Sequence, residues 1–148
     1  MNAASDPKDQ LGTILAQIQR AYPSLQYRWI DRAPVPAARF PVQPGLAFEI
    51  GVNVQGDELH LTAGEHFWIE MFPSPTPGLL DDFVATVLGL VSGRYRIVES
   101  FVAGRAVSAR LERQDDRGVW KRTATWSNLR VLLPLPRRER ILRNSEML

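Results

Sequence analysis

The residues whose types and spacing could support chemistry alternate along the segment from residue 45 to residue 72. Apolar side chains recur there at every second position and predict three antiparallel strands. If Leu61 lies opposite Phe67, every large aliphatic side chain shares one face, since a one-residue slip would mix the two faces. The other face then carries these polar or aromatic residues: Asn53, Glu58, His60, Trp68 and Glu70.

These side chains could bind a polar ligand, hold a metal ion through His60 and a carboxylate, or transfer protons, because imidazole titrates near neutral pH. The interpretation that we favour is the solvated face that an antiparallel sheet needs in any case. His66 shares a face with Trp68 and adds little, because the fragment EHFWIE lacks the histidine pair, four residues apart, of a helical zinc site. We therefore predict no catalytic residue, no bound metal and no cofactor.

A second candidate pair is Glu99 with Arg122, on strands predicted between residues 95 and 126. If the turns fall as expected, Ala109 lies between these two residues and is small enough for their charges to meet above it. Unpaired charge on an apolar face is costly, so pairing is the physical expectation. We favour a structural ion pair at the margin of the core. The alternative is a ligand pocket in which Arg122 holds an anion between indoles.

Several classes of chemistry find no support in the chain. The absence of cysteine excludes disulfides, thiol nucleophiles and cysteine metal sites. We find no G-x-S-x-G turn, no phosphate loop, no dinucleotide-binding glycine motif and no RNA-binding strand signature. The sequence thus favours a protein that is not an enzyme, and nucleic-acid binding by the basic carboxyl-terminal half is only a third hypothesis.

The element around which the strands are organised is a central helix predicted at residues 77–92. Thr76 would cap it, Pro77 fits its first position and Gly93 ends it. Its apolar arc is wide enough to lie flat on a sheet. The opposite face is made of small or short side chains, namely Asp82, Ala85, Thr86, Gly89 and Ser92. We interpret that face as the contact of a twofold homodimer, and a helix covered by a loop is the alternative.

The remaining patterns predict a single α+β domain of 148 residues with the order α-β-β-β-β-α-β-β-β-(α) and antiparallel strands in two groups. Its parts are, in chain order, a tail at 1–5, a helix at 7–22, a strand at 25–31, a proline-rich loop at 32–45 without an interior strand, three strands at 45–72, the central helix, three strands at 95–126, a short basic helix at 137–144 and a tail at 145–148.

Charge is divided unevenly along the chain. Residues 1–93 carry five basic and ten acidic side chains, a net of −5, whereas residues 94–148 carry 13 and six, a net of +7. Such asymmetry raises the hypothesis that the protein binds nucleic acid or an acidic partner. We favour the explanation that the two halves face each other, within one chain or across a dimer. The amino end lacks the apolar core of a signal peptide, and no run is long enough to span a membrane, so we expect a cytoplasmic protein.

In element order alone, the chain resembles the small dimeric chaperones of bacterial secretion systems and other small partner-binding α+β proteins, including some toxin-immunity proteins. Its basic balance differs from the acidic character of such chaperones, and the resemblance assigns no residue a role. The small-residue face of the central helix, the complementary charge of the two halves and the absence of a catalytic set lead us to expect a non-catalytic, homodimeric module that binds another protein. The alternative is a small-ligand domain or enzyme that uses one of the two polar groups described above.

Overall fold

The computed structural model describes residues 5–30 and 35–145 and has two helices and two antiparallel sheets, which confirms the α+β class. The elements follow one another as α1 (Pro7–Ala21), β1 (Arg28–Ile30), β2 (Ala37–Phe40), β3 (Ile50–Gln55), β4 (Glu58–Ala63), β5 (Phe67–Met71), α2 (Leu79–Ser92), β6 (Tyr95–Val102), β7 (Arg105–Gln114), β8 (Trp120–Ser127), a 3₁₀ turn (Leu129–Leu132) and β9 (Arg137–Leu142). The predicted tail residues 1–4 and 146–148 and loop residues 32–34 lie outside the described residues.

The first helix begins and ends where its sequence predicts. The Asp6 carboxylate accepts a hydrogen bond from the Lys8 amide at 3.0 Å, and Pro7 follows in the first turn. The buried stripe consists of Leu11, Ile14, Leu15 and Ile18. This stripe places α1 against β3 and α2, so the two helices lie side by side over the inner face of the first sheet.

The five-stranded sheet has the strand order β1-β2-β3-β4-β5. The prediction that no interior strand lies in residues 32–45 is wrong, because Ala37–Phe40 pairs with both β1 and β3. Pro36 and Pro41 flank this strand, so none of its four residues lacks the amide hydrogen that a ladder requires. The preceding strand is shorter than predicted, at Arg28–Ile30.

The hairpin between β4 and β5 keeps the predicted faces but not the predicted register. Leu61 lies opposite Ile69, and Ala63 lies opposite Phe67, which is two residues away from the expected pairing. Gly64 adopts φ 65° at the start of the turn, so the turn falls one residue later than expected. A two-residue shift leaves every side chain on its own face, and the apolar pattern is therefore unaffected.

The central helix is shorter at its amino end than predicted. α2 begins at Leu79, and Gly78 occupies the cap position with a left-handed conformation, so Thr76 and Pro77 do not have their predicted roles. Gly93, at φ 78°, ends the helix as expected. The apolar arc of α2 is buried and contacts α1, β4 and β6, which confirms a helix packed on the sheet.

The second sheet has the order β8-β7-β6-β9. Here the predicted basic helix at 137–144 is wrong, because β9 pairs antiparallel with β6, with Leu142 opposite Ile97. A helix of two turns is marginal by itself in water. The open edge of β6 instead offers the segment a complete ladder of backbone hydrogen bonds, and this long-range pairing decides its conformation.

Residues after β9 and in the turn between β4 and β5 help to join the two sheets and the helices. The buried Asn144 side chain donates to the Leu90 carbonyl at 2.9 Å and accepts from the Ala47 amide at 2.6 Å. Gly64, at the tip of the β4–β5 hairpin, lies so close to Leu142 that an added Cβ would be 2.7 Å from its Cδ1. The hairpin tip therefore rests on the four-stranded sheet. Within the described residues, no helix combines the length and the apolarity that crossing a membrane requires.

Candidate functional site

The outer face of the five-stranded sheet carries the first predicted group. Asn53 lies opposite His60 as predicted, and Glu70 lies opposite His60 on its other side. Trp68 was expected beside His60 but lies opposite Thr62 because of the shifted register. The structure therefore brings an amide, an imidazole and a carboxylate into one row and moves the indole to the next row.

Glu58 completes this cluster from the strand that carries His60. Its Oε2 lies 2.9 Å from His60 Nε2, and Glu70 Oε1 lies 3.8 Å from His60 Nδ1. One donor atom from each of the three side chains lies within 4.8 Å of the other two. The imidazole is 17% exposed and the carboxylates of Glu58 and Glu70 are 38% and 34% exposed, so water reaches the cluster from one side only.

The second predicted pair, Glu99 with Arg122, does not form. Arg122 is exposed and lies opposite Glu112, while Ala109 lies opposite Trp126. One reason is the turn after β7, which Asp115 holds by accepting hydrogen bonds from the amides of residues 117 and 119 at 2.9 Å. These two hydrogen bonds keep the pKa of Asp115 below its ordinary value, and the bond from the amide of residue 119 has the larger effect. A bulge beside Glu112 displaces the register further.

Glu99 is fully buried and has two other partners. Arg140 donates from Nη2 to both carboxylate oxygens at 3.2 and 3.1 Å, and His66 Nε2 lies 3.7 Å from Oε2. The Arg140 guanidinium also lies 5.3 Å from the Phe101 ring centre, and the His66 ring meets the same ring edge-on. Sequence reasoning missed both partners of Glu99. The segment RRERIL at residues 137–142 lacks the apolar alternation that indicates a strand, and nothing local links it to β6.

The outer face of the four-stranded sheet carries a chain of alternating charge. Arg96 and Arg110 each donate to Glu112, at 2.8 and 3.0 Å, and Arg110 also donates to Glu139 at 3.1 Å. Burial raises the pKa of Glu112, but the hydrogen bonds from Arg110 and Arg96 outweigh it and lower the pKa below its ordinary value. Burial lowers the pKa of Arg110, and its bonds to Glu112 and Glu139 raise it by more. The two arginines and the two glutamates of this row therefore neutralise one another.

The last part of the chain combines exposed apolar side chains with a basic edge strand. The described residues expose ten large hydrophobic side chains, and half of them fall in this short region, namely Leu129, Leu132, Leu133, Leu135 and Ile141. β9 is the last strand of its sheet and is exposed from Arg137 to Ile141. This region, residues 129–142, is called the leucine–arginine edge below.

The predicted dimer face of α2 is partly covered by the chain itself. Thr86, Gly89 and Ser92 are buried, whereas Asp82 and Ala85 are exposed. An added Cβ at residue 89 would lie 2.5 Å from the ring of Tyr95, so the glycine makes room for that ring. Homodimerisation through this face stays a prediction, and only its first turn is open to a second copy.

Ala85 and Gly89 of α2 line a cleft of about 560 Å³. Its other lining residues are Arg94, Tyr95, Arg113, Gln114, Asp115 and Asp116. Two guanidinium groups and two carboxylates share this cleft, and Asp115 is already engaged in the turn after β7. The mixed charges select no class of ligand. Neither the cluster around His60 nor Glu99 lines it.

Comparison of the chain with protein-family models, with curated proteins and with solved structures finds no match. The fold defines an α+β domain of two antiparallel sheets, and its function has to be argued from the surfaces themselves. Three features of the molecule bear on its function: the cluster around His60, the buried Glu99 and the leucine–arginine edge.

Proposed function

We propose that this protein is a non-catalytic binding module that takes up an extended acidic segment of a partner protein along the leucine–arginine edge. The observation that carries the proposal is the concentration of five exposed aliphatic side chains within residues 129–141. Single exposed apolar residues are normal, but a group of them marks a contact surface. Leu129 and Leu132 are 85% and 78% exposed, so they contribute almost nothing to the core of this chain.

The backbone of β9 supports the same proposal. An edge strand directs unpaired N–H and C=O groups away from its sheet, and an extended segment can add to it as a further strand. β9 offers six residues for such pairing, with β6 on its other side. In this mode of recognition, the main chain supplies much of the affinity and the side chains supply the specificity.

Charge defines the partner. The leucine–arginine edge contains four arginines and one glutamate. Glu139 is already bound by Arg110, and Arg140 is bound to Glu99, which leaves Arg130, Arg137 and Arg138 for a partner. An incoming strand with a carboxylate opposite Arg138 would gain about 0.2–1 kcal/mol from that cross-strand pair. An acidic segment with some apolar residues therefore complements both the arginines and the leucines.

A second copy of β9 fits this edge poorly. Two β9 strands related by a twofold axis would form an antiparallel pair in which opposite residues share a face. The two registers with the longest overlap place Arg138 opposite Arg140, or Arg140 opposite itself, and like charges directly opposite each other destabilise the pair. Edge arginines also hinder self-association in general, so this edge favours a different chain of opposite charge.

The test uses an array of synthetic peptides with alternating glutamate and valine, together with matched peptides whose alternate backbone amides are methylated. We expect the protein to bind the unmethylated peptides and to show NMR shift changes concentrated in residues 129–142. Arg138→Glu should weaken this binding at least about tenfold, since it replaces an attraction with a repulsion. Arg28→Glu, on the exposed edge strand of the other sheet, is the matched control and should bind like the parent.

Three results would overturn the proposal. One is equal binding of methylated and unmethylated peptides, since strand addition needs the amides. Another is a set of shift changes away from residues 129–142. The third is tighter binding to single-stranded DNA of mixed sequence with a steep loss of affinity in salt, which would support the nucleic-acid hypothesis instead.

A further inference from the structure

A second surface, unrelated to partner binding, has the composition of a metal site. We propose that Glu58, His60 and Glu70 bind a divalent first-row transition-metal ion, with Zn²⁺ as the best match. One imidazole nitrogen and two carboxylates form a donor set that Zn²⁺ accepts readily and that soft Cu⁺ does not. From the sequence, a metal held by His60 and a carboxylate is one hypothesis for this face, and a solvated surface is favoured over it. The structure adds that Glu70, and not Trp68, lies opposite His60.

The ladder of the sheet fixes the three backbone positions. His60 and Glu70 lie directly opposite each other on β4 and β5. Glu58 lies two residues before His60 on β4 and therefore points to the same face. Donors held by neighbouring strands are positioned more firmly than donors held by loops, so an ion could bind without rearrangement of the backbone.

The distances leave a small adjustment to the side chains. Zn²⁺ bonds of about 2.0–2.2 Å place neighbouring donor atoms roughly 3.3 Å apart in a tetrahedron. The Glu58–His60 pair is already at 2.9 Å, and the widest separation within the set is under 4.8 Å. Both carboxylates are partly exposed, so rotation about their own side-chain bonds can close the remaining gap.

The charge of the cluster points the same way. The two carboxylates outnumber the single positive charge that one imidazole can carry. Across residues 5–30 and 35–145, neither Glu58 nor Glu70 forms an ion pair with lysine or arginine, whereas Glu99 and Glu112 both do. The cluster therefore keeps an excess of negative charge, and a divalent cation would neutralise it.

Three protein donors leave at least one coordination position to water, on the solvent side of the sheet. Such a site exchanges its ion readily. We therefore expect micromolar affinity and removal by a chelator. Asn53, opposite His60 on the third strand, lies where its amide can orient the imidazole or the bound water.

The experiment titrates the chelator-treated protein with ZnCl₂ by calorimetry and with CoCl₂ by visible absorption. We expect one ion per chain, Co²⁺ bands of a low-symmetry site, and a rise in the thermal unfolding temperature with Zn²⁺. His60→Asn and Glu70→Gln should each weaken Zn²⁺ binding by about tenfold or more. His66→Asn is the matched control, since its imidazole faces a carboxylate that Arg140 already neutralises, and it should bind Zn²⁺ like the parent.

Binding no tighter than millimolar, or equal affinity in the parent and in His60→Asn, would overturn the proposal. Equal loss in His66→Asn would show unspecific binding of Zn²⁺ to histidine and would overturn it as well. If His60→Asn fails to fold, Glu58→Gln and Glu70→Gln decide the question, because these changes keep the imidazole and the volume of the side chain. In that case, unchanged Zn²⁺ affinity in both glutamine variants would contradict the site.

Discussion

The two histidines of this protein lie six residues apart and show how differently one hairpin can use the same side chain. His60, on β4, meets Glu58 and Glu70 on an open sheet face. His66, in the turn after β4, points to the four-stranded sheet and meets Glu99 between the layers. Each imidazole lies near two carboxylates. Within the described residues, those at His60 pair with no arginine, whereas His66 lies 3.6 Å from the exposed Glu65 and 3.7 Å from Glu99, which Arg140 also binds.

The presence or absence of an arginine indicates which polar cluster supports the fold and which is available for a ligand. A fully buried carboxylate needs a cation, and Arg140 supplies it, so the group around Glu99 is complete. Glu112 is complete in the same way, with an arginine on each side. The glutamates around His60 are partly exposed to water and, in the part of the chain that the structure describes, pair with no lysine or arginine. We therefore expect the loss of stability on removal of one charged group to be largest in the buried cluster and smallest in the open one.

The largest expected effect follows from removing the cation of the buried cluster. Arg140→Met leaves Glu99 with His66 alone, 3.7 Å away, and should lower the free energy of unfolding by about 3 kcal/mol, since an uncompensated buried charge is costly. Urea denaturation measures this change. Arg138→Met, two residues away on the same strand, should change it by less than about 0.5 kcal/mol.

A double variant sharpens this result. Arg140→Met combined with Glu99→Gln should be more stable than Arg140→Met alone, because the buried charge is then absent. If the double variant is less stable than the single one, or if Arg140→Met costs no more than Arg138→Met, the buried cluster does not depend on charge compensation.

An intermediate effect is expected at Glu112. Glu112→Gln should cost about 2 kcal/mol at neutral pH, because two charge-assisted hydrogen bonds are weakened. The folded-state pKa of Glu112 lies below the ordinary 4.5, so its contribution is complete above pH 4.5 and is lost as the pH falls through the lower folded-state value. Urea denaturation between pH 7 and acid should therefore show the parent and the variant converging below about pH 4.5.

Glu139→Gln is the control for this pH series, since Glu139 is half exposed and bonded to Arg110 alone. Its effect should stay within about 0.5 kcal/mol at every pH. A constant gap between the parent and Glu112→Gln across the acid range would contradict the lowered pKa.

The smallest effect is expected in the open cluster. Without metal, Glu58→Gln and Glu70→Gln should each change the free energy of unfolding by less than about 0.5 kcal/mol, since no cation depends on these carboxylates. Thermal unfolding with and without ZnCl₂ provides the measurement. Destabilisation in the absence of metal as large as that of Glu112→Gln would show that the cluster supports the fold, and the contrast with Glu99 would be lost.

Much of the fold could be predicted from local sequence because its signals are local. Asp6 and Pro7 define the start of α1, Gly93 defines the end of α2, and alternation in residues 50–71 defines the two faces of three strands. Alternation has a period of two residues, however, so it cannot distinguish two strand registers that differ by two residues. It therefore could not decide whether Trp68 or Glu70 lies opposite His60, and only the structure shows that Glu70 does.

The sequence by itself determined the apolar stripe of α1, the apolar arc of α2, the end of α2 and the side chains that share each face of strands β3 to β5, because these follow from spacing, caps and side-chain polarity. Only the tertiary structure decided that residues 137–142 form an edge strand and that Arg140 neutralises Glu99, 41 positions earlier. It also decided that Tyr95 fills the space left by Gly89. Pairings between distant segments depend on turn geometry and on the edge that a neighbouring strand leaves open, and no local pattern encodes either.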